Sequence, residues 1–112
     1  MFVIMFVLDN PDKLFEVLGA WEKVGVTGVT ILESTGLHRV KRAYTAMRFL
    51  PSVYENQESH VTLITLVRDE TLIAACLQEV EKVVGNLDSP NTGIFTAWPA
   101  TYLKGIGSDI GF

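Results

Sequence analysis

The sequence predicts an α+β fold in which two helices cover one face of a four-stranded antiparallel sheet. Two apolar runs of strand length, residues 1–8 and 59–68, each lead into a capped helical segment. The helices end on nearly the same letters, EKVG at 22–25 and EKVVG at 81–85, and a further β-type segment follows each of them. The order is therefore βαββαβ. Because such crossovers are right-handed, both helices lie on the same face, which is the ferredoxin-like arrangement.

Each predicted helix has a start signal, a stop signal and one apolar face. In the first helix, Asn10 is suited to cap the N-terminus, Pro11 fits the first helical position, and Gly25 provides a left-handed stop. In the second helix, Asp69 is the cap and Gly85 the stop. The apolar faces consist of Leu14, Val17, Leu18, Trp21 and Val24 in the first helix, and of Ile73, Cys76, Leu77, Val80 and Val84 in the second.

Residues with high β-propensity predict the two remaining strands. The second strand covers 26–33 and contains Gly28, whose missing side chain indicates a bulge, a close approach by a ligand, or ordinary packing. The last strand, IFTAWPA, is closed by Pro99. Strands one and three are apolar on both sides, whereas the helices cover one side only. The uncovered side therefore predicts a homo-oligomer that closes into a small ring.

Composition limits the class of protein. A chain of 112 residues with 48% hydrophobic and 20% charged residues fits a single domain spanning 1–112. The net charge of −4 disfavours nucleic-acid binding. The single cysteine, Cys76, excludes an internal disulfide and is expected in the core. The apolar start is too short to span a bilayer and lacks the layout of a signal peptide, so we expect a cytoplasmic protein that contacts membranes only through a partner.

The long loop at 36–57 carries the one basic block of an acidic chain. Arg39, Lys41, Arg42 and Arg48 are four of the nine Lys and Arg residues, and the remainder of the chain has five basic and thirteen acidic residues, a net of −8. Guanidinium groups bind phosphate and carboxylate oxygens through paired hydrogen bonds, so an anionic small molecule is one expected ligand. A solvated loop without a ligand is the alternative. Within the loop, 43–50 is expected to form a short helical turn.

Two other functions stay open at this stage. His38 and His60, with Glu33 or Glu58, offer ligand types for a divalent cation, as in trimeric proteins of the cation-tolerance type, although their spacing matches no metal motif. A small ferredoxin-like enzyme is the other possibility. No nucleophile lies beside a base and an orienting acid at a recognisable spacing, so we predict a non-enzymatic protein without a metal site.

Two segments resemble one family. GVTGVTILESTGLHR at 25–39 is similar to the second strand and loop entry of the PII nitrogen-regulatory proteins, and NTGIFTAWP at 91–99 is similar to their second loop and last strand. The resemblance covers the chain to about Pro99. It implies a homotrimer of ferredoxin-like subunits that binds an adenine nucleotide, such as ATP, ADP or AMP, in the clefts between neighbours. It also implies a long loop that senses small metabolites and docks onto a target transporter or enzyme.

The same resemblance assigns site residues. The wall that holds the base corresponds to Gly28, Val29 and Thr30, the start of the sensing loop to Gly36, Leu37, His38 and Arg39, and the phosphate-wrapping turn to Asn91, Thr92 and Gly93. Lys41, Arg42 and Arg48 would add loop contacts to the anion.

The chain also departs from the family pattern. Gly93 stands where the family has a phosphate-binding Lys, and Val40 stands where it has a Gln that helps to bind 2-oxoglutarate. Lys104 is the only cation in place of the family's paired tail arginines. We therefore do not expect 2-oxoglutarate sensing.

Overall fold

The computed structural model of the chain describes residues 1–34 and 60–106. The sheet has the order β2-β3-β1-β4, and every neighbouring pair of strands is antiparallel. This topology, with two helices, confirms the predicted α+β, ferredoxin-like arrangement. In chain order the elements are β1 (Phe2–Leu8), a 3₁₀ turn (Pro11–Lys13), α1 (Leu14–Val24), β2 (Thr30–Ser34), β3 (His60–Val67), α2 (Glu70–Val84) and β4 (Gly93–Pro99).

The helix ends follow the signals in the sequence, with one difference at the start of α1. Asn10 caps as expected, its Oδ1 accepting from the Asp12 N–H at 3.0 Å. The Lys13 N–H donates to Asn10 O at 3.1 Å, a three-residue spacing that makes the first turn 3₁₀ and delays the α-helix to Leu14. Gly25 ends α1 with a φ of 111°. At α2, Asp69 Oδ1 accepts from the Leu72 N–H at 3.0 Å.

The second strand is shorter than predicted, because β2 begins at Thr30 and residues 26–29 lie outside the ladder. Backbone groups of these residues form hydrogen bonds outside the sheet ladder instead. The Val26 N–H donates to Trp21 O at the end of α1 at 3.1 Å, and the Thr65 hydroxyl of β3 donates to Gly28 O. The predicted strand start at Val26 is therefore wrong, because the helix end and a side chain take the bonds that a strand would have made.

The core lies between the helices and one face of the sheet. Ile4, Phe6 and Leu8 of β1 are fully buried there, and the Phe6 and Trp21 rings pack with centroids 6.3 Å apart. Trp21 Nε1 donates to Cys76 O at 3.2 Å, which gives the buried indole a partner and ties α1 to α2. Burial, with the nearby negative charge of Glu79, raises the pKa of the Cys76 thiol to about 11. Cys76 is thus an unreactive core residue, as expected.

The opposite face of the sheet, here called the open face, is uncovered in the single chain. Val3, Met5 and Val7 of β1 point to this side, between their helix-facing neighbours, and are only partly buried. None of the strand residues that share the open face is an Asp, Glu, Lys or Arg, and His60 lies at the rim of this face. The other members are Thr30, Leu32 and Ser34 of β2, Thr62, Ile64 and Leu66 of β3, and Ile94, Thr96 and Trp98 of β4.

Candidate functional site

An open groove of about 480 Å³ lies between α1 and the segment that precedes β2. This volume is within the range of small-molecule sites. Two of the residues that were assigned to the base wall, Gly28 and Val29, line it. The other lining residues are Leu18, Glu22, Val26, Thr27 and Ile31. Among the described residues, the lining of the groove is therefore mainly apolar and includes one charged side chain, that of Glu22.

Thr30, the third residue assigned to the base wall, lies at the start of β2, next to the groove. It pairs with Ile64 of β3 and its side chain is exposed. Since β2 is an edge strand, its outer edge has no neighbouring strand among the described residues. Gly28, Val29 and Thr30 thus form a continuous, accessible stretch along one edge of the sheet.

The second assigned segment, Asn91–Gly93 in the sequence, lies at the opposite edge, at the start of β4. Three strand spacings separate β2 from β4, about 14 Å across the sheet. A single chain therefore does not bring the two segments together.

Local packing explains the conformation of this turn. The Thr92 hydroxyl lies 2.9 Å from Ser89 O and 3.3 Å from Leu87 O, so its hydrogen is donated within the loop. Asn91 has a left-handed φ of 63° and is exposed. Gly93 has a φ of 146°, and a Cβ there would lie 2.4 Å from Val7 O. Asn91 is accordingly the member of this segment whose side chain is free to meet a ligand.

The two ends of the loop meet at the end of the sheet. Ser34, the last residue of β2, pairs with His60, the first residue of β3, and the Ser34 and Thr62 hydroxyls are 2.9 Å apart. His60 Nε2 lies 3.2 Å from Asp9 Oδ1, with both side chains about four-fifths buried. The remaining assigned residues lie outside the described ranges: Gly36, Leu37, His38, Arg39, Lys41, Arg42 and Arg48. The same holds for the helical turn predicted at 43–50.

The groove and the loop lie at opposite ends of β2. β2 has five residues and separates the groove at its start from the loop at its end by roughly 13 Å. No Lys or Arg of residues 1–34 or 60–106 lines the groove. The described lining of the groove therefore offers a ligand apolar surface and a carboxylate rather than a cation.

Sequence reasoning missed the helix side of this groove. Leu18 and Glu22 belong to α1 and line the groove together with Gly28, whereas the sequence placed Leu18 on the apolar face of the helix and pointed to no role for Glu22. It also missed Thr65, which is 4% exposed and holds the Gly28 carbonyl. The sequence feature that could have identified Thr65 is that it is the polar residue among the apolar Val61, Leu63 and Val67 on the helix-facing side of β3.

The metal hypothesis is not supported by a cluster of metal-binding side chains in residues 1–34 and 60–106. Within those ranges no three His, Cys, Asp or Glu side chains are grouped so that they can hold an ion. His60 contacts Asp9, while His38 and Glu58 lie outside the described part. Neither described helix is both long and apolar enough to cross a membrane.

Comparisons with known proteins add no family assignment. A scan of the sequence against protein-family models gives no match, and a search of curated proteins gives none either. The PII-like family therefore stays a prediction from the two resembling segments and the fold.

Proposed function

We propose that the chain is a PII-like signalling protein and not an enzyme. In this proposal it forms a cytoplasmic homotrimer that binds an adenine nucleotide or another small anion in the clefts between subunits. The observation that carries the proposal is the placement of the two assigned segments at opposite edges of one sheet. In a closed ring, the β2 edge of one subunit is beside the β4 edge of the next, and each cleft then contains both segments.

The open face supports the trimer. It is an uncharged surface of four strands, about 400 Å² in plan, which is the size at which exposed apolar patches mark interaction sites. Ile94 and Trp98 are 65% and 43% exposed there. Packing the open faces of three subunits around a common axis removes this apolar surface from water, while the helices stay outside.

Signalling would use the loop at 36–57. Because Ser34 and His60 hold its two ends together at the sheet, a ligand that contacts Arg39 changes the loop relative to a fixed base. Binding then favours one loop conformation over others, and that conformation determines whether a target transporter or enzyme can dock. The proposal therefore requires a ligand and a docking partner, but no chemical step.

Calorimetric titration of the purified trimer with ATP, ADP, AMP, cyclic AMP and bicarbonate tests this function. We expect binding heat for at least one of them, with one site per subunit. Arg39→Ala is expected to weaken binding, because it removes a guanidinium from the anionic end of the ligand. Arg68→Ala is the matched control, since the Arg68 side chain is 59% exposed, does not line the groove, and follows the end of β3 that is remote from His60 and the loop. A trimer that gives no heat with any of the five compounds contradicts the proposal.

A further inference from the structure

The segment that follows β4, residues 100–106 and here called the tail, carries apolar surface and a cation that its own subunit does not use. The Ala100 N–H donates to Met1 O at 3.0 Å, and no helix or strand follows within the tail. Tyr102 is 88% exposed and Leu103 is 40% exposed. Lys104 is exposed too, and within residues 1–34 and 60–106 it forms no ion pair or hydrogen bond through its side chain.

The groove beside α1 has the complementary surface. Its apolar lining includes Leu18, Val26 and Ile31, and its charged group is the Glu22 carboxylate. In the part of the chain that the structure describes, no side chain forms an ion pair or hydrogen bond with Glu22. An anion in this groove would be repelled. A lysine fits it, because its aliphatic stem packs on apolar walls while its ammonium group binds the carboxylate.

The tail and the groove lie at the same end of the sheet but at opposite edges. Pro99, the last residue of β4, pairs with Phe2, and Phe2 also pairs with Val67 at the end of β3. The segment before β2 extends towards this same end, since Gly28 O is bound by the Thr65 hydroxyl of β3. None of residues 100–106 lines the groove of its own chain.

A second copy removes this separation. In the proposed ring, the β4 edge of one subunit is beside the β2 edge of the next. Rotation about the axis of the ring keeps the tail and the groove at the same end of the assembly. The tail of each subunit therefore starts next to the groove of its neighbour.

We propose that the tail of one subunit docks in the groove of the next, where Lys104 binds Glu22 and the Tyr102 and Leu103 side chains cover the apolar lining. This inference rests on the proposed ring and adds a contact to it that involves neither the open face nor a ligand. The groove of the ligand-free ring is then filled by protein, and the carboxylate and the ammonium group each gain a partner of opposite charge.

Carbodiimide coupling of the ligand-free protein tests the contact, because this reagent joins a carboxylate to an amine where the two groups touch. We expect an amide between Glu22 and Lys104, identified by mass spectrometry of peptides, and covalent dimers and trimers on a denaturing gel. A mixture of unlabelled and isotope-labelled chains shows that the link joins two subunits. Glu79 and Lys82, whose charged atoms are 3.0 Å apart within one chain, provide the internal control for the reagent.

Two sets of variants examine the same pair. Lys104→Gln is expected to abolish the covalent oligomers, whereas Lys23→Gln, the same change at an exposed lysine of α1, is expected to keep them. Glu22→Lys or Lys104→Glu alone replaces attraction by repulsion and is expected to raise the concentration at which the ring dissociates about fivefold. The double reversal is expected to return this concentration to within about twofold of the wild type.

Each outcome decides between the contact and the ring. A trimer that forms the link from Glu79 to Lys82 but none from Glu22 to Lys104 overturns the inference and leaves the proposed trimer standing. A link between Glu22 and Lys104 of the same chain also overturns it, as does a double reversal that is no more stable than the single ones. If the protein stays monomeric at every concentration, the inference fails together with the ring.

Discussion

Gly93→Ala is expected to destabilise the protein by about 3 kcal/mol or more. Gly93 has a φ of 146°, a region that residues with a Cβ rarely adopt. The added Cβ would also lie 2.4 Å from Val7 O and 2.9 Å from the Phe6 ring. Both contacts involve β1, the interior strand that pairs with β4, so relief of the clash requires β4 to move away from β1. Urea denaturation followed by circular dichroism measures the loss.

Gly19→Ala is the matched control for this substitution. Gly19 lies in the middle of α1, and a Cβ there meets no atom within 4 Å. Because alanine is the better helix former, the control is expected to gain about 0.5–1 kcal/mol. A Gly93→Ala protein as stable as the wild type would contradict the tight packing of β4 against β1.

The same geometry accounts for one departure from the PII pattern. The family has a phosphate-binding Lys where this chain has Gly93, and a lysine there would meet the same backbone and ring atoms as alanine. The basic group cannot be restored at this position without rebuilding the start of β4. If the protein binds an anion as proposed, binding would depend on other cations, and the proposal assigns this role to the loop residues Arg39, Lys41, Arg42 and Arg48.

If the protein forms the proposed trimer through its open face, Met5→Glu is expected to convert that trimer to a monomer. Met5 lies in the middle of the open face, paired with Ile64 on one side and Thr96 on the other. A carboxylate at the centre of a packed apolar interface loses its hydration without gaining a partner, which costs several kcal/mol for each subunit. The helix-facing neighbours Ile4 and Phe6 are unchanged, so the subunit itself is expected to stay folded. Light scattering distinguishes the two masses.

Phe15→Glu is the control for the charge itself. Phe15 is 83% exposed on α1, on the helix side of the subunit, so the same change there is expected to leave the trimer intact. If Met5→Glu remains trimeric, the open face is not the interface. If Phe15→Glu dissociates instead, the helices form the subunit contacts.

Most of the fold could be predicted from the sequence, because the signals that define its helices and strands are local. The caps at Asn10 and Asp69 and the stop at Gly25 act within a turn or two of their own position, and the structure has all three. The two-residue alternation in β3 puts Leu63 and Ile64 on opposite faces of the sheet, and the structure has Leu63 in the core and Ile64 on the open face. Only local hydrogen bonding and the two-residue period of a strand are needed for these predictions.

The groove is harder to predict from the sequence, because it is formed by contacts between segments that are distant along the chain. The letters VTGV at 26–29 have the β-propensity of a strand, but the Thr65 hydroxyl and Trp21 O bind this backbone instead. Glu22 has the spacing of a solvated helix residue, and only the position of the segment opposite makes it part of a groove. Gly93 was assigned to the site by resemblance, whereas the structure gives it a packing requirement.

Native mass spectrometry of the 112-residue chain, with and without AMP or ATP, tests the central claim most directly. It reports the number of subunits and the number of bound nucleotides in the same spectrum. We predict an assembly of three 12.4 kDa chains that takes up as many as three nucleotides, one for each cleft. A monomer, or a trimer that binds no nucleotide at any concentration used, would contradict a nucleotide-binding PII-like trimer.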